Sequence, residues 1–296
     1  PLERSGRDAA STTRRDSRRK PSFKSVINMI FAKRYDKLTP SARVCFSVSR
    51  RLHPARFAGR LLRFMSDSSP KTHLFLFDID GTLIASGGAG EYSMRLAVRD
   101  QFGVDDGLDG IEIAGRTDQS ITHAILKKFG VEITPERVTE FLDLYLSHLK
   151  VELPRKNGRL LPGIIPLLDA LKARLQVAVA LLTGNLVRGA EIKLSHYGVW
   201  NYFEFGAFAD DNCDRNCLGP VAKARAKERH GVEFPPERIF VLGDTPHDIT
   251  CGQAIDAKTV AIATGGFTRQ QLGECQPDFL FDDLADVSSV LRELGV

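Results

Sequence analysis

The stretch that decides the fold reads Leu74-Phe75-Leu76-Phe77-Asp78-Ile79-Asp80-Gly81-Thr82-Leu83. Its four consecutive apolar residues predict a fully buried β-strand. The strand ends in two carboxylates, which would point the same way only if the chain stayed extended, and Gly81 indicates a turn instead. We therefore expect Asp78 and Asp80 to crowd together at the carboxyl end of a buried strand, the edge at which open α/β sheets bind ligands.

Two carboxylates so close together indicate a specific chemistry. Both ionise at low cost only if a cation lies between them; otherwise one of them keeps a proton. A hard cation such as Mg2+ binds one or two carboxylates together with phosphate oxygens of a substrate. A carboxylate can also attack phosphorus while its neighbour carries a proton. The alternatives are an acidic turn without this role and a calcium loop, whose twelfth position requires Glu but is Ala89 here.

Two later apolar runs end in similar signals. Residues 177–182 predict a strand that stops at Thr183-Gly184-Asn185. A hydroxyl group and free backbone N–H groups at the start of a helix can cradle phosphate, although an ordinary helix N-cap uses the same residue types. Residues 238–243 predict a third buried strand, which is followed by Asp244 and Asp248.

Strands alternate with helices along most of the chain, which predicts a parallel sheet with right-handed crossovers. Residues 85–165 differ because they contain three predicted helices between glycine-rich hinges and no predicted strand. We expect them to form a small helical module inserted into a strand-helix core of residues 72–84 and 166–296. The helices of this module are predicted at 89–102, 119–129 and 135–149. The later helices are predicted at 162–171, 187–197, 221–230 and 287–294, and the remaining strands at 203–208, 259–262 and 279–281.

Charge is distributed unevenly between the two ends of the chain. Residues 1–71 contain 18 Lys and Arg against 5 Asp and Glu, whereas the remaining residues contain 23 against 32. Residues 1–64 are basic and Ser-rich, and this composition predicts disorder rather than a packed core. Further interpretations are an organelle transit peptide, an arm that binds nucleic acid, or upstream sequence joined to a chain that starts naturally at Met65. Among these we favour a disordered tail or upstream sequence.

The composition argues against membrane and secreted proteins. At 43% hydrophobic and 26% charged residues, the 296-residue chain has enough apolar residues for a core. It has no run of about 18 to 20 apolar residues, the length that a membrane span requires. Its five cysteines are scattered, and Cys213 and Cys217 lack a second pair that would complete a zinc site. We expect reduced thiols and a cytoplasmic protein that does not bind a membrane.

Three motifs in order resemble those of the haloacid dehalogenase superfamily, in its phosphoglycolate-phosphatase-like branch. Asp-x-Asp-Gly-Thr corresponds to residues 78–82, the strand followed by Thr to residues 181–185, and Gly-Asp-x-x-x-Asp to residues 243–248. Each follows an apolar strand, and the resemblance spans residues 72–296. It implies a Rossmann-like core with a helical cap inserted after the first motif, as expected above.

The resemblance also implies roles for individual residues. Asp78 would attack phosphorus and form an aspartyl-phosphate, while Asp80 would protonate the leaving oxygen and later deprotonate the attacking water. Mg2+ would be held by the Asp78 carboxylate, the backbone carbonyl of Asp80, Asp244 and the phosphate. Thr183 would hold a phosphoryl oxygen. Asp248 would orient a water ligand of the ion or the basic residue of the site.

The resemblance fails at one element, because the family usually has a Lys, often as Lys-Pro, between the second and last motifs. Residues 210–220 contain no Lys-Pro. Arg215 is the first candidate for this role, since its planar guanidinium can bind phosphate bidentately, and Lys193 is the second. Arg116 in the cap is a candidate for contacting a substrate carboxylate or phosphate, with a helix-entry salt bridge as the alternative. The remaining candidates for substrate binding are Gly81, Thr82, Gly184 and Asn185.

These observations predict a Mg2+-dependent phosphomonoesterase that acts on a small phosphorylated metabolite, with phosphoglycolate as the default ester of that branch. Asp80 argues against a dehalogenase or a phosphonate-cleaving enzyme, because those members of the superfamily lack this carboxylate. A phosphomutase of the β-phosphoglucomutase type is the closest alternative. An alternative of another class is a role of the basic arm in binding an anionic surface or nucleic acid, although the catalytic set makes nucleic acid an improbable main partner. We expect a monomer or homodimer.

Overall fold

Six parallel strands form the main sheet of the computed structural model, which describes residues 70–105 and 107–296. Two shorter strands pair antiparallel outside this sheet, β2 (Ile84–Ala85) and β3 (Arg159–Leu160). In spatial order, the strands of the main sheet are β5 (Gly206–Ala207), β4 (Val177–Leu182), β1 (His73–Phe77), β6 (Ile239–Gly243), β7 (Lys258–Ile262) and β8 (Phe279–Phe281).

Nine α-helices accompany these strands in the described residues. In chain order they are α1 (Ala89–Phe102), α2 (Asp118–Lys128), α3 (Pro135–Glu152), α4 (Ile164–Lys172), α5 (Val187–His196), α6 (Leu218–His230), α7 (Pro246–Gln253), α8 (Arg269–Glu274) and α9 (Val287–Leu294). The predicted α/β class with a parallel sheet is confirmed.

Strand β1 positions the candidate site, because it lies between β4 and β6 and is parallel to both. Its five residues are all buried, as expected for a central strand with both faces covered. Phe77 is in register with Leu181 of β4 and Leu242 of β6, so the three strands end at the same edge. From β1 the chain proceeds first towards β4 and β5 and then towards β6, β7 and β8 on the other side. The motif residues therefore lie at a topological switch point, where such sheets bind ligands.

Helices α1, α2 and α3 form the inserted segment between β2 and β3. They pack around buried apolar side chains of their own, among them Ile125, Phe141 and Leu149. Thr117 accepts a hydrogen bond from the third residue of α2, and Pro135 occupies the first turn of α3, which explains where these helices begin. The β2–β3 pair was not predicted, since two residues per strand are too few to show a periodicity. The cap boundaries at residues 85 and 165 stay a prediction.

Some elements differ from the expectation. The prediction of a strand at 203–208 is wrong except for Gly206–Ala207. Residues 200–202 form a 3-10 turn before it, and the backbone N–H of Phe208 after it donates to Asp211 Oδ2 instead of to a neighbouring strand. Helix α6 begins at Leu218 rather than 221. Helices α7 and α8 were missed, because their sequences have too few apolar residues at helical spacing to show a periodicity.

Several expectations concern features outside the sheet. The basic segment 1–64 lies outside the described residues, and so do the interpretations attached to it. In the part of the chain that the structure describes, no helix combines the length and the apolar composition needed to cross a membrane. The four cysteines in the described residues are all free, which agrees with the expected reduced thiols: Cys213, Cys217, Cys251 and Cys275.

Candidate active site

Three carboxylates meet at the carboxyl edge of the sheet, where β1 and β6 lie side by side. Asp78 follows β1, Asp244 follows β6, and Asp248 lies in the first turn of α7. Each offers an oxygen within 4.8 Å of the other two, and all three are buried. The Asp80 carboxylate is not a member of this group. Convergent carboxylate oxygens are the ligands that a hard cation such as Mg2+ prefers.

Burial and mutual repulsion raise the pKa of two members of this acidic cluster. Burial raises the pKa of Asp78 to about 7 against the attraction of Arg215, and Asp248 adds repulsion. Burial likewise raises the pKa of Asp244 to about 9, with repulsion from Asp248 and Asp78 adding to it. A cation bound among these oxygens would offset the repulsion and favour the ionised forms. The donor set therefore fits a divalent metal ion.

Small residues allow this crowding around Asp244. Gly81 has a φ of +82°, and a Cβ atom there would lie 2.2 Å from Asp244 Oδ2. A Cβ atom on Gly265 would lie 1.7 Å from the same oxygen. Thr82 Oγ1 donates to Asp244 Oδ1 at 3.3 Å, and Thr264 Oγ1 donates to the carbonyl of Gly81 at 2.6 Å. The sequence analysis assigned no site role to Thr264 and Gly265, although a buried strand followed by small residues is the signal it used after β4.

Arg215 is the cation of the acidic cluster. It begins a 3-10 turn at Arg215–Cys217 that is capped by the Asp214 side chain, and it is buried. Its Nη2 donates to Asp78 Oδ1 at 2.8 Å and also to Asp248 Oδ1, and its Nη1 donates to the carbonyl of Gly115 at 2.9 Å. Burial acts to lower the pKa of Arg215, but the attraction of Asp248 and Asp78 outweighs it and raises that pKa. Of the two predicted basic candidates, Arg215 is the one that contacts Asp78.

Both carboxylate oxygens of Asp248 accept hydrogen bonds from protein groups. Its Oδ2 accepts from the backbone N–H of Thr245 at 3.0 Å and from Thr245 Oγ1 at 2.7 Å, so it forms a capping box at the start of α7. Its Oδ1 accepts from Arg215. Between the two expectations for Asp248, this geometry favours orienting the basic residue.

Lys193, on α5, contacts Asp80 instead of Asp78. Its Nζ donates to Asp80 Oδ2 at 2.5 Å and to Asn185 Oδ1 at 2.6 Å. Asn185 Nδ2 donates to Asp80 Oδ2 at 3.0 Å and to Thr183 Oγ1 at 3.0 Å. Burial acts to raise the pKa of Asp80, but the attraction of Lys193 and these hydrogen bonds outweigh it and lower that pKa. Asn185 and Thr183 of the second motif are thus linked to Asp80 by side-chain hydrogen bonds.

The inserted segment reaches the site through residues 115–118. The carbonyl oxygen of Arg116 lies close to Gly184, because a Cβ atom on Gly184 would be only 2.2 Å from that oxygen. The backbone N–H of Asp118 donates to the carbonyl of Gly184 at 2.7 Å, and Asp118 Oδ2 accepts from the backbone N–H of Leu186 at 2.8 Å. Thr117 Oγ1 donates to the carbonyl of Cys213 at 2.6 Å. The sequence offers no signal for this contact of Asp118 with the core, because residues 118 and 186 are far apart in the chain.

The side chain of Arg116 lies at the border of the site. Its Nη2 pairs with Glu112 Oε2 at 2.5 Å, and the side chain is 47% exposed. Glu112 Oε1 also contacts His247 Nε2 at 3.1 Å. The structure therefore shows the salt bridge that was the alternative for Arg116, in a residue that still lines the cavity of the site.

A cavity of about 550 Å³ lies between the inserted segment and the sheet edge. It brings together polar residues of the core and mainly apolar residues of the insertion. The former include Asp78, Asp80, Lys193, Arg215 and Asp244, and the latter Met94, Ile113, Ile121 and Tyr145. The arrangement suits a ligand that is anionic at one end and small enough to be enclosed.

The chain as a whole is similar to known proteins. The sequence model of the haloacid dehalogenase-like hydrolases matches residues 75–253, which is more than half of the chain. The chain is 26% identical over 242 residues to a phosphoglycolate phosphatase of Agrobacterium fabrum, a match that covers 76% of this chain and 95% of the relative. It is 25% identical over 222 residues to a putative pyrophosphatase PpaX of Clostridium perfringens, covering 74% of this chain and 97% of the relative.

Solved structures show the same fold. A predicted phosphoglycolate phosphatase from Haemophilus somnus superposes with a TM-score of 0.56 at 21% identity, covering 74% of this chain and 97% of the other. CbbY from Rhodobacter sphaeroides, solved in complex with phosphate, superposes with a TM-score of 0.59 at 18% identity, covering 73% and 96%. These structures show the fold, and the family match and the phosphatase relatives show the family. The chain belongs to the haloacid dehalogenase-like hydrolase family and is a phosphatase of that family.

Proposed function

We propose that the protein is a Mg2+-dependent phosphomonoesterase that acts on a small phosphorylated metabolite through an aspartyl-phosphate. The observation that carries this proposal is the meeting of Asp78, Asp244 and Asp248 at one sheet edge, with oxygens within 4.8 Å of one another. Arg215 contacts two of these carboxylates, and Asp80 lies outside the group with a cation of its own. Such a site has a nucleophile, a separate proton carrier and a place for a cation.

The residues that would hold Mg2+ are the Asp78 carboxylate, the backbone carbonyl of Asp80 and the Asp244 carboxylate. Asp248, whose oxygens are already engaged by Thr245 and Arg215, would support the site by holding Arg215. The bound ion supplies positive charge that reduces the repulsion between the attacking carboxylate and the phosphate.

In the first half of the reaction, a carboxylate oxygen of Asp78 attacks phosphorus and the bond from phosphorus to the ester oxygen breaks. Asp80 gives its proton to the departing oxygen, which leaves as an alcohol. The lowered pKa of Asp80 favours its ionised form before substrate binds. The negative charge of an entering phosphate favours proton uptake by Asp80, because a nearby like charge disfavours a second ionised group.

In the second half, Asp80 takes a proton from water, whose oxygen attacks phosphorus. The bond between Asp78 and phosphorus breaks, so that inorganic phosphate leaves and the Asp78 carboxylate is regenerated. The phosphoryl oxygens would contact the Thr183 hydroxyl and the backbone amides of two loops. One loop contains Gly81 and Thr82, and the other contains Gly184 and Asn185. Arg215 stabilises negative charge next to Asp78, which suits a reaction that depends on positioning and charge stabilisation.

The substrate class rests on the cavity and on the relatives. A cavity of about 550 Å³ encloses a small ester rather than a polymer. One relative is a phosphoglycolate phosphatase and another a putative pyrophosphatase. Phosphoglycolate is therefore the first natural ester to test, followed by pyrophosphate.

The test measures phosphate release from p-nitrophenyl phosphate, phosphoglycolate and pyrophosphate, with Mg2+ and after its removal by EDTA. Turnover is expected to require Mg2+, and Asp78→Asn should lower kcat by about 10⁴-fold or more, because it removes the nucleophile. Asp169→Asn, an exposed carboxylate that accepts from Tyr202, is the matched control and should retain activity. No turnover by folded wild-type protein on any ester would refute the proposal. Transfer of the trapped phosphoryl group to a sugar phosphate instead of water would indicate a phosphomutase.

A further inference from the structure

Each of the two motif carboxylates after β1 has its own buried cation. Arg215 contacts Asp78, as expected for the nucleophile's partner, whereas Lys193 contacts Asp80. The Lys193 side chain is only 4% exposed, and lysine is rarely buried to this extent unless its charge is paired. Its function follows from what surrounds it.

Two donors converge on one oxygen of Asp80. Lys193 Nζ lies 2.5 Å from Asp80 Oδ2, and Asn185 Nδ2 lies 3.0 Å from the same atom. Lys193 also donates to Asn185 Oδ1 at 2.6 Å, and Asn185 contacts Thr183. The side chains of Asp80, Asn185 and Lys193 close a ring of hydrogen bonds, which holds the Asp80 carboxylate in one orientation.

The inserted segment contributes a second carboxylate to this network. Asp118, at the first position of α2, is buried and attracts the Lys193 ammonium electrostatically. Its Oδ2 is anchored by the backbone N–H of Leu186, one residue beyond Asn185. Gly90 of α1 also lies against the ammonium, since a Cβ atom there would be 3.4 Å from Lys193 Nζ. Lys193 thus donates to a core carboxylate, and the insertion adds a second buried carboxylate that attracts the same ammonium.

We propose that Lys193 is a positioning residue that orients Asp80 towards the leaving-group oxygen, and that Asp118 of the inserted segment holds Lys193 in place for this task. This inference rests on the proposed function. Direct binding of the phosphate by Lys193 is a poorer explanation, because the ammonium would first have to leave Asp80 and Asn185. Arg215 already contacts the nucleophile Asp78, whereas Lys193 contacts the proton carrier Asp80.

The test compares kcat/KM for two esters that differ in the basicity of their leaving group, phenyl phosphate and p-nitrophenyl phosphate. The constant kcat/KM reports the steps up to release of the phenol. Phenolate is more basic than p-nitrophenolate, so only the release from phenyl phosphate depends strongly on a well-placed acid. The variants are Lys193→Met, Lys193→Arg and Asp118→Asn. The matched control is Arg188→Met, which removes an exposed cation of the same helix that pairs with Asp143 of the insertion.

Lys193→Met is expected to lower kcat/KM about 100-fold for phenyl phosphate but only about tenfold for p-nitrophenyl phosphate, since general acid catalysis typically contributes about 10²–10⁴-fold. Lys193→Arg should restore part of this difference because it keeps the charge. Asp118→Asn should shift the ratio of the two constants in the same direction by about threefold, and Arg188→Met should leave it unchanged.

An equal loss on both esters in Lys193→Met would overturn the inference, since a merely structural role affects both alike. If Lys193→Met does not fold by circular dichroism, the decision rests on Lys193→Arg and Asp118→Asn. A ratio that neither of them changes would likewise overturn it. If the wild-type protein hydrolyses neither ester, the proposed function fails, and this outcome is distinct from an unchanged ratio in an active enzyme.

Discussion

Two arginines at the border of the cavity pair with carboxylates, and their ion pairs differ in burial. Arg215 pairs with Asp78 and Asp248, and these three side chains are 8%, 7% and 3% exposed. Arg116 pairs with Glu112, and these side chains are 47% and 53% exposed. Removing one partner of a buried pair leaves an uncompensated charge, whereas an exposed pair contributes only about 0–1 kcal/mol. The buried ion pairs of Arg215 therefore hold their partners on the core side of the cavity. The exposed ion pair of Arg116 on the side of the insertion can exchange its partner.

This difference assigns separate tasks to the two sides. The core side presents the phosphate with groups whose positions are fixed by strand ends and by buried contacts, which suits the chemical step. On the insertion side, Arg116 can exchange Glu112 for a substrate group at little cost. We expect changes to Arg215 to act on kcat and changes to Arg116 to act on KM.

The largest effect on this comparison is expected from Arg215→Met. It should lower kcat/KM for p-nitrophenyl phosphate about 10³-fold, because an arginine that stabilises the charge of a transferring phosphoryl group is worth about 10³–10⁵. Arg215→Lys should lie between this variant and the wild type, since an ammonium lacks the planar fork that reaches Asp78 and the carbonyl of Gly115 together.

Arg225→Met provides the control for Arg215→Met. Arg225 makes two hydrogen bonds of 2.6 Å to Asp211, but it does not line the cavity of the site. Its loss should leave kcat/KM unchanged, and thermal unfolding would report any effect on stability. Activity of folded Arg215→Met within about tenfold of the wild type would contradict the assigned importance of the buried pair, because about 10³-fold is expected.

An intermediate effect is expected on stability from Asp244→Asn. Folding raises the pKa of Asp244 from its ordinary value of 3.8 to about 9, so the stability that its proton confers is fully present below the ordinary pKa and declines as the pH rises from there to about 9. In EDTA at about pH 8, the uncharged amide should therefore stabilise the protein by ~2 kcal/mol, which corresponds to roughly 4–8 °C in melting temperature. Differential scanning calorimetry over a pH series measures this.

The comparison variant Asp211→Asn should behave in the opposite way. Burial acts to raise the pKa of Asp211, but hydrogen bonds from Arg225 and from the backbone of Phe208 outweigh it and lower that pKa. Its charge therefore adds stability above its ordinary pKa, and the amide should destabilise the protein at about pH 8. Mg2+ should raise the melting temperature of the wild type and not that of Asp244→Asn. A less stable Asp244→Asn in EDTA would contradict the account of the acidic cluster.

The core side was largely predictable from sequence because its signals are local. Apolar runs that end in carboxylates or Thr-Gly identify both the strands and the residues at their ends, and parallel strands bring those ends to one edge. Strand β4 and helix α9 have the predicted boundaries. Helix α7 has the same length as α9 but was missed, because its apolar residues do not recur at helical spacing; Asp248 of its capping box was nevertheless recognised as a site residue.

Contacts between distant residues were not predictable in the same way. Arg215 lies 137 residues from Asp78, and Lys193 lies 113 residues from Asp80. No local pattern indicates which cation the fold brings to which carboxylate, so both were candidates for one role. Asp118 illustrates the same limit, since its sequence context indicates a helix start while its carboxylate contacts the core at Leu186.

The smallest effect is expected from Arg116→Met on the insertion side. If Arg116 exchanges Glu112 for the carboxylate of phosphoglycolate, its loss should raise KM for this ester about threefold, because an exposed ion pair is worth at most about 1 kcal/mol and 1.4 kcal/mol corresponds to tenfold. KM for p-nitrophenyl phosphate and both kcat values should stay unchanged. Arg137→Met, an exposed arginine of α3 that does not line the cavity, is the control. A fall in kcat comparable to that of Arg215→Met would show that the two sides of the cavity do not differ in the way that their burial indicates.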